Sequence, residues 1–240
     1  MNILITGASR GVGLAICDVL LKQKFTVFAI SRNYSENLKA LKNDFPDNFY
    51  FKSVDLSKPE LIQKEIFKDF IKNEITLHGL VNNAAIAYDD IITNLNLNSL
   101  ESMYNINVFS PMIITKYAIR NMIFHKTPGS LIQISSISAH TGYKGLAMYA
   151  SSKGAIEAFS KNTAREWGEA GIRSNVVVPG FMETAMSDTL SIEQKDRIYK
   201  RTSLKKPTDV FSVAEMVAFL LSDKAVSITG QNIHVDSGTI

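Results

Sequence analysis

ILITGASRGVGLAICDVLLK, residues 3–22, sets a short apolar run, a glycine-punctuated turn and a segment of helical period end to end. Residues 3–6 read as a buried strand, and residues 11–23 as a helix whose apolar side chains recur at three- and four-residue spacing. Between them, Thr6, Gly7, Ala8, Ser9, Arg10, Gly11, Val12 and Gly13 form the turn. Glycines there let backbone amides approach a phosphate, and the helix start offers unpaired N–H groups and a partial positive charge. Three residues separate Gly7 from Gly11, so the spacing differs from G-x-G-x-x-G. Glycine also serves plain turns, but a place in the first strand–helix unit favours dinucleotide binding.

The same alternation continues along the chain. Residues 25–30, 50–55, 79–84, 130–136, 174–180 and 231–236 read as further strands, and 34–44, 60–73, 99–125, 147–170 and 212–222 as helices. Strands alternating with helices predict βαβ units, hence one α/β domain over residues 1–240. The expected fold is a doubly wound, mostly parallel seven-stranded sheet with helices on both faces. Runs such as VFAI and NVVV are apolar throughout, as strands buried on both faces require. Residues 181–211 interrupt the rhythm with a polar, charge-rich insert after Pro179-Gly180. At the carboxyl edge of such a sheet this insert is either a lid over a ligand or a surface excursion.

Composition narrows the function classes. Of 240 residues, 45% are hydrophobic and 20% charged, and the net charge is +3, ordinary values for a soluble globular protein. The basic stretch Lys195–Lys206 reads as a solvated helix, so no nucleic-acid partner is expected. No window approaches the ~18 apolar residues of a membrane span, and the N-terminus opens directly on the first strand, so a cytoplasmic protein is expected. Cys17, the single cysteine, has no partner, which fits a reducing compartment. His78, His125, His140 and His234 lack metal-ligand spacing, and no metal is expected.

The end of the second strand bears on which dinucleotide binds. Ser31 and Arg32 stand where an acid would hold both ribose hydroxyls of NAD, and no acid is present. Arg32 and Arg10 can instead make charge-assisted bonds to a 2′-phosphate, which favours NADP(H). Further on, Tyr149 and Lys153 lie four residues apart among small neighbours. That spacing alone suits any exposed helix.

TGASRGVG at 6–13, NNAA at 82–85, SS at 135–136, YASSK at 149–153 and PGFMET at 179–184 occur together in one order. In that order and spacing the chain resembles the short-chain dehydrogenases/reductases, from its first strand to the terminal ITGQNIHVDSG. Within them it is most similar to bacterial 3-oxoacyl-[acyl-carrier-protein] reductases. The resemblance implies a Rossmann-type fold and an NADP-dependent oxidoreductase acting on a ketone or secondary alcohol. It implies that Tyr149 protonates the carbonyl oxygen, with Lys153 and oxidised nicotinamide lowering its pKa and Lys153 holding the nicotinamide ribose. Ser136, rather than Ser135, would bond the substrate oxygen, and Asn107, rather than Asn105, would support a water relay to the lysine. Asp55 and Leu56 would lie by the adenine. Asn82, Asn83 and Ala84 would approach the cofactor, Asn82 and Ala84 flanking the adenosine ribose. Pro179, Gly180 and Thr184 would line the nicotinamide. A homotetramer or homodimer built on helices 99–125 and 147–170 is implied as well.

The partner stays open. An acidic carrier protein needs a basic surface, and relatives of that kind carry arginine before the serine-bearing strand and before the GI of the next one. Here those stretches read HKTPGS (125–130), retaining Lys126, and GEAGI (168–172), with Ala170 beside Glu169. The substrate is then a carrier-protein thioester, a coenzyme A thioester, a sugar-derived ketone or another secondary alcohol. A non-catalytic NADP sensor on the same fold would not need Tyr149, Lys153 or Ser136.

Overall fold

Strand β1 (Asn2–Thr6) leads through the glycine turn into helix α1 (Gly11–Lys22) in a computed structural model, which describes residues 1–184 and 191–240. Six strands follow: β2 (Thr26–Ser31), β3 (Phe49–Ser53), β4 (Gly79–Asn82), β5 (Gly129–Ile134), β6 (Ile172–Pro179) and β7 (Asn232–Val235). They form one sheet in the order β3-β2-β1-β4-β5-β6-β7. Every pairing is parallel. Because all strands run the same way, Thr6, Ser31, Asn82, Ile134 and Pro179 end on one edge. The order reverses between β1 and β4, where β2 lies to one side and β4 to the other, and such a switch point opens a crevice for a ligand.

Each face of the sheet is covered by helices. Ile3 and Ile5 pack with α1, with α2 (Glu36–Asp44) and with α7 (Val210–Leu221). Leu4, one residue out of phase, joins the opposite cluster, to which Ile114, Ala118 and Met122 also belong. The pleat sends successive side chains to opposite faces, so burial on both sides demands an unbroken apolar strand.

Three helical segments differ in detail from the sequence reading. Residues 60–73 form a 3₁₀ turn (Pro59–Leu61) and a π-helical turn (Gln63–Lys68) in place of one α-helix. The buried Ile66 and Ile71 are five residues apart, and a wider turn, with Ile71 N–H bonded to the Ile66 carbonyl, brings both onto the sheet. The long helix at 99–125 is α3 (Leu97–Tyr104), a π-helical turn over Asn105–Phe109 and α4 (Ser110–Phe124). Pro111 has no N–H for the carbonyl four residues back, that of Asn107, so the ladder widens there. The helix expected at 147–170 is α5 (Ala147–Trp167), closed by a 3₁₀ turn. Within the expected lid, α6 (Ile192–Arg201) is a capped helix with no buried residue, while residues 185–190 lie outside the described residues.

Candidate active site

The glycine turn is packed so tightly that a single added atom would disturb it. A Cβ on Gly7, at φ +69°, would come 2.7 Å from the Ala84 Cα, and one on Gly13 would overlap the Gly7 carbonyl oxygen. Asn83 holds this arrangement: its amide donates to the carbonyls of Thr6 and Gly7 at 2.9 and 3.1 Å. Thr6 Oγ1 in turn accepts from the backbone N–H groups of Asn83 and Ala84, both at 2.9 Å. Arg10 occupies the N-cap of α1 without a capping side-chain bond, so the amide end of the helix keeps its donors. The Ser35 hydroxyl donates to the Ser9 carbonyl at 3.0 Å and ties the start of α2 to this turn. Arg10 and Arg32 are both exposed there, and Val12 is buried behind them.

Other residues read as cofactor contacts are placed unequally. Ser31 is buried and donates to the Asn33 carbonyl at 2.8 Å. Asp55 accepts from the Ser57 N–H at 3.0 Å; that bond, and Arg32 more weakly, keep its carboxyl below the ordinary range. The carbonyl of the buried Leu56 accepts from Ser110 Oγ at 2.6 Å. Asn82, expected to flank the ribose, ends β4 at the switch point. Its amide is inside the protein, donating to Thr115 Oγ1 and Gln133 Oε1, both at 3.0 Å. Pro179 ends β6, the Gly180 N–H bonds the Val235 carbonyl at 2.9 Å, and the Thr184 side chain lies within 3.7 Å of where a Gly11 Cβ would stand. The segment after β6 therefore reaches back over the glycine turn.

Across the switch point the site is made of side chains. Tyr149 and Lys153 sit in the first two turns of α5, and the Lys153 Nζ lies 5.7 Å from the Tyr149 ring centroid. Lys153 is buried and donates to the Ile134 carbonyl, at the end of β5, at 2.8 Å. The Ser136 hydroxyl is close enough to the Tyr149 phenol to hold its pKa down in part, while the neighbouring Ser135 hydroxyl donates to Glu157. The two adjacent serines thus face different partners, and only Ser136 acts on the phenol. Asn107 is buried; its amide clasps Ile86 in both directions, at 2.9 and 3.0 Å, and donates to Ser152 Oγ at 3.1 Å. The Ser152 hydroxyl donates to the Tyr149 carbonyl at 2.7 Å, which links Asn107 to the tyrosine turn.

In the chain alone, burial, then the carboxylate of Asp89, push the Tyr149 phenol up to about 12, and Ser136 offsets only part of this. Lys153 itself is brought down to about 8 by burial, with Glu157 pulling the other way.

Glu157 and Asp89 went unread in the sequence. Glu157 follows Lys153 by four residues on the same helix, a spacing that signals a shared face but names no partner. His140, read as isolated, bonds Glu157 and meets the ring of His234 edge to face at 4.8 Å. Among the described residues no group of His, Cys, Asp and Glu could hold a metal ion, and no helix is long and apolar enough to cross a membrane. Cys17 is packed in the core, where burial pushes its thiol up.

Similarity to known proteins runs the length of the chain. Residues 7–239 match the family described as Enoyl-(Acyl carrier protein) reductase. The 3-oxoacyl-[acyl-carrier-protein] reductase of Rickettsia prowazekii is 35% identical over 237 residues, covering 99% of this chain and 95% of the relative. A 4-hydroxyisoleucine dehydrogenase complexed with NADH superposes with a TM-score of 0.92 at 26% identity, over 99% of this chain and 98% of the other. ElxO with NADP bound gives 0.90 at 28% identity, with the same two coverages. With the parallel sheet, its glycine turn and the Ser136–Tyr149–Lys153 group in place, the chain belongs to the short-chain dehydrogenase/reductase family of oxidoreductases.

Proposed function

We propose that this protein reduces 3-oxoacyl thioesters to 3-hydroxyacyl thioesters with NADPH, the acyl group being carried on acyl carrier protein. The observation that carries the reaction is the gathering of Tyr149, Lys153 and Ser136 at the end of β5, with the Lys153 Nζ 5.7 Å from the Tyr149 ring and Ser136 acting on its phenol. The substrate class rests on the full-length similarity to the rickettsial reductase.

The residues fit the cofactor. The close-packed glycine turn, the amide end of α1 and the exposed pair Arg10 and Arg32 would hold the phosphates, and no acid ends β2 to oppose a 2′-phosphate. When bound, NADPH supplies the hydride that the carbonyl carbon receives. Tyr149, protonated at neutral pH, gives its proton to the carbonyl oxygen. Ser136 orients the same oxygen by hydrogen bonding. Lys153, still mostly an ammonium at pH 7, stabilises the phenolate left behind. Asn107 supports the route of proton return: its carbonyl lacks the helical donor that Pro111 cannot supply, and its side chain locks Ile86 and Ser152.

Lys200, Arg201, Lys205 and Lys206 are exposed on the segment that follows β6 and offer the basic surface for an acidic carrier. The described residues 181–184 and 191–211 act as the lid, fastened where the Tyr199 hydroxyl donates to Glu183 at 2.6 Å. The protein works in the cytoplasm as a homotetramer or homodimer through α4 and α5. Support for an interface there comes from the exposed Phe109, Ile123 and Phe124. The test follows NADPH consumption with acetoacetyl thioesters of carrier protein and of coenzyme A, beside a panel of ketones. Turnover is expected with both thioesters and faster on the carrier. No turnover of either thioester, with turnover of a sugar or other ketone, overturns the substrate class; equal efficiency with NADH overturns the reading of the two arginines.

A further inference from the structure

We infer that Glu157 is a positioning residue of the carbonyl site, whose carboxylate fastens the segment bearing Ser136 to the helix bearing Tyr149 and Lys153. Glu157 stands one turn beyond Lys153 and two beyond Tyr149, close to the same face of α5. Its side chain is 11% exposed, and both of its oxygens are engaged. Oε1 accepts from Ser135 Oγ at 2.5 Å and bonds His140 Nε2 at 3.0 Å. Oε2 accepts from Asn232 Nδ2 at 2.7 Å, anchoring the group to β7.

The positions of the two Oε1 partners give the arrangement its meaning. Ser135 is the residue before Ser136, and His140 ends the 3₁₀ turn (Ile137–Ala139) that Ser136 opens. One carboxylate therefore brackets Ser136 along the chain from both sides. It does so from the helix whose phenol Ser136 must meet. Bonds to an ionised carboxylate are roughly twice as strong as neutral ones, so this bracket outweighs the single neutral bond between Ser136 Oγ and the Ser138 N–H. The negative charge also favours the ammonium form of Lys153. A carboxylate that served only to solubilise the helix would not be nearly buried with a donor on each oxygen.

The inference rests on the reduction proposed above, and the experiment separates the two. Kinetics with NADPH and acetoacetyl-coenzyme A are compared for the parent, Glu157→Ala and Glu157→Gln, alongside NADPH binding by fluorescence and a crystal structure of each variant. Glu157→Ala is expected to lower kcat by about tenfold or more while the NADPH dissociation constant stays within about threefold. In its crystal structure Ser136 Oγ should have left the Tyr149 phenol. Glu157→Gln retains an acceptor for Ser135 and His140 and should recover kcat to within about threefold of the parent. Should Glu157→Ala fail to fold, Ser135→Ala and His140→Ala each remove one arm and should each lower kcat about threefold. The inference is overturned if the alanine variant, or both single-arm variants, keep kcat within about twofold. A Ser136 Oγ that keeps its parental distance from the Tyr149 phenol, or NADPH binding that falls in step with kcat, overturns it equally. A parent that reduces no ketone would defeat the proposed reaction instead, because the crystal structures read that distance without turnover.

Discussion

Around β1 and β4 the carboxyl edge of the sheet is a backbone construction, whereas around β5 and α5 it is made of side chains. In the first region carbonyls, amides and missing Cβ atoms do the work, with Asn83 and Thr6 bonding main chain to main chain. In the second, a phenol, an ammonium, a hydroxyl and a carboxylate are held at the end of one strand by one helix. The difference teaches what each can tolerate. A surface that cradles phosphate fails when an atom is added, while a proton-transfer site fails when the group that gives the proton is exchanged for one of the same shape.

The most severe break in this contrast is Tyr149→Phe, which removes one oxygen and leaves the packing intact. Turnover should fall about a thousandfold, the usual worth of a general acid, with NADPH binding and thermal unfolding near those of the parent. A variant that keeps a tenth or more of the parental rate (roughly, against) would place the acid elsewhere. Lys153 comes next, and its effect is on stability. Its value is about 8 in the folded chain against an ordinary 10.5, so between those values the unfolded chain binds the extra proton. Stability should therefore rise with pH across that interval, by about 3 kcal/mol relative to Lys153→Met, and denaturant midpoints at the two ends measure it. An equal slope in both proteins would show that burial does not disfavour the charge.

Gly13→Ala carries the test to the backbone region, where the new methyl meets the Gly7 carbonyl and the Asn83 amide. A loss of about 2–3 kcal/mol and much weaker NADPH binding are expected from this overpacking. Arg10→Ala and Arg32→Ala leave the cradle intact; each should weaken NADPH binding about tenfold and NADH binding little, as calorimetry would show. Matching losses for the two cofactors would mean that the arginines do not read the 2′-phosphate. The smallest effect returns to α5. A Cβ on Gly154 has nothing within 4 Å, so the substitution that harms Gly13 should here stabilise by about 0.5–1 kcal/mol. Destabilisation would mean that α5 admits no methyl where open space surrounds it.

The contrast also marks what was legible. Strand and helix positions followed from apolar runs and their spacing, because burial on both faces of a parallel sheet leaves that pattern in the sequence. Departures from it came where packing set the terms: Ile66 and Ile71 widened one turn, and Pro111 another. Within the site, the order of short motifs indicated Ser136, Tyr149, Lys153 and Asn107, and the fold brings Ser136 and Tyr149 together with Lys153 beside them. The inward turn of the Asn82 amide and the joining of Glu157 to Ser135, His140 and Asn232 had no local signal, since those partners are far apart in the chain.

By itself, the sequence determined the alternation of elements, the place of the glycine turn and the residue types available for proton transfer. These depend on local propensity and on periodic burial, both written in neighbouring residues. Only the tertiary structure decided which serine comes near the phenol, that burial raises the Tyr149 phenol, and that Glu157 joins three distant segments. Those outcomes depend on how much water is excluded and on which groups meet across the sheet edge, and such distances exist only once the chain has closed on itself.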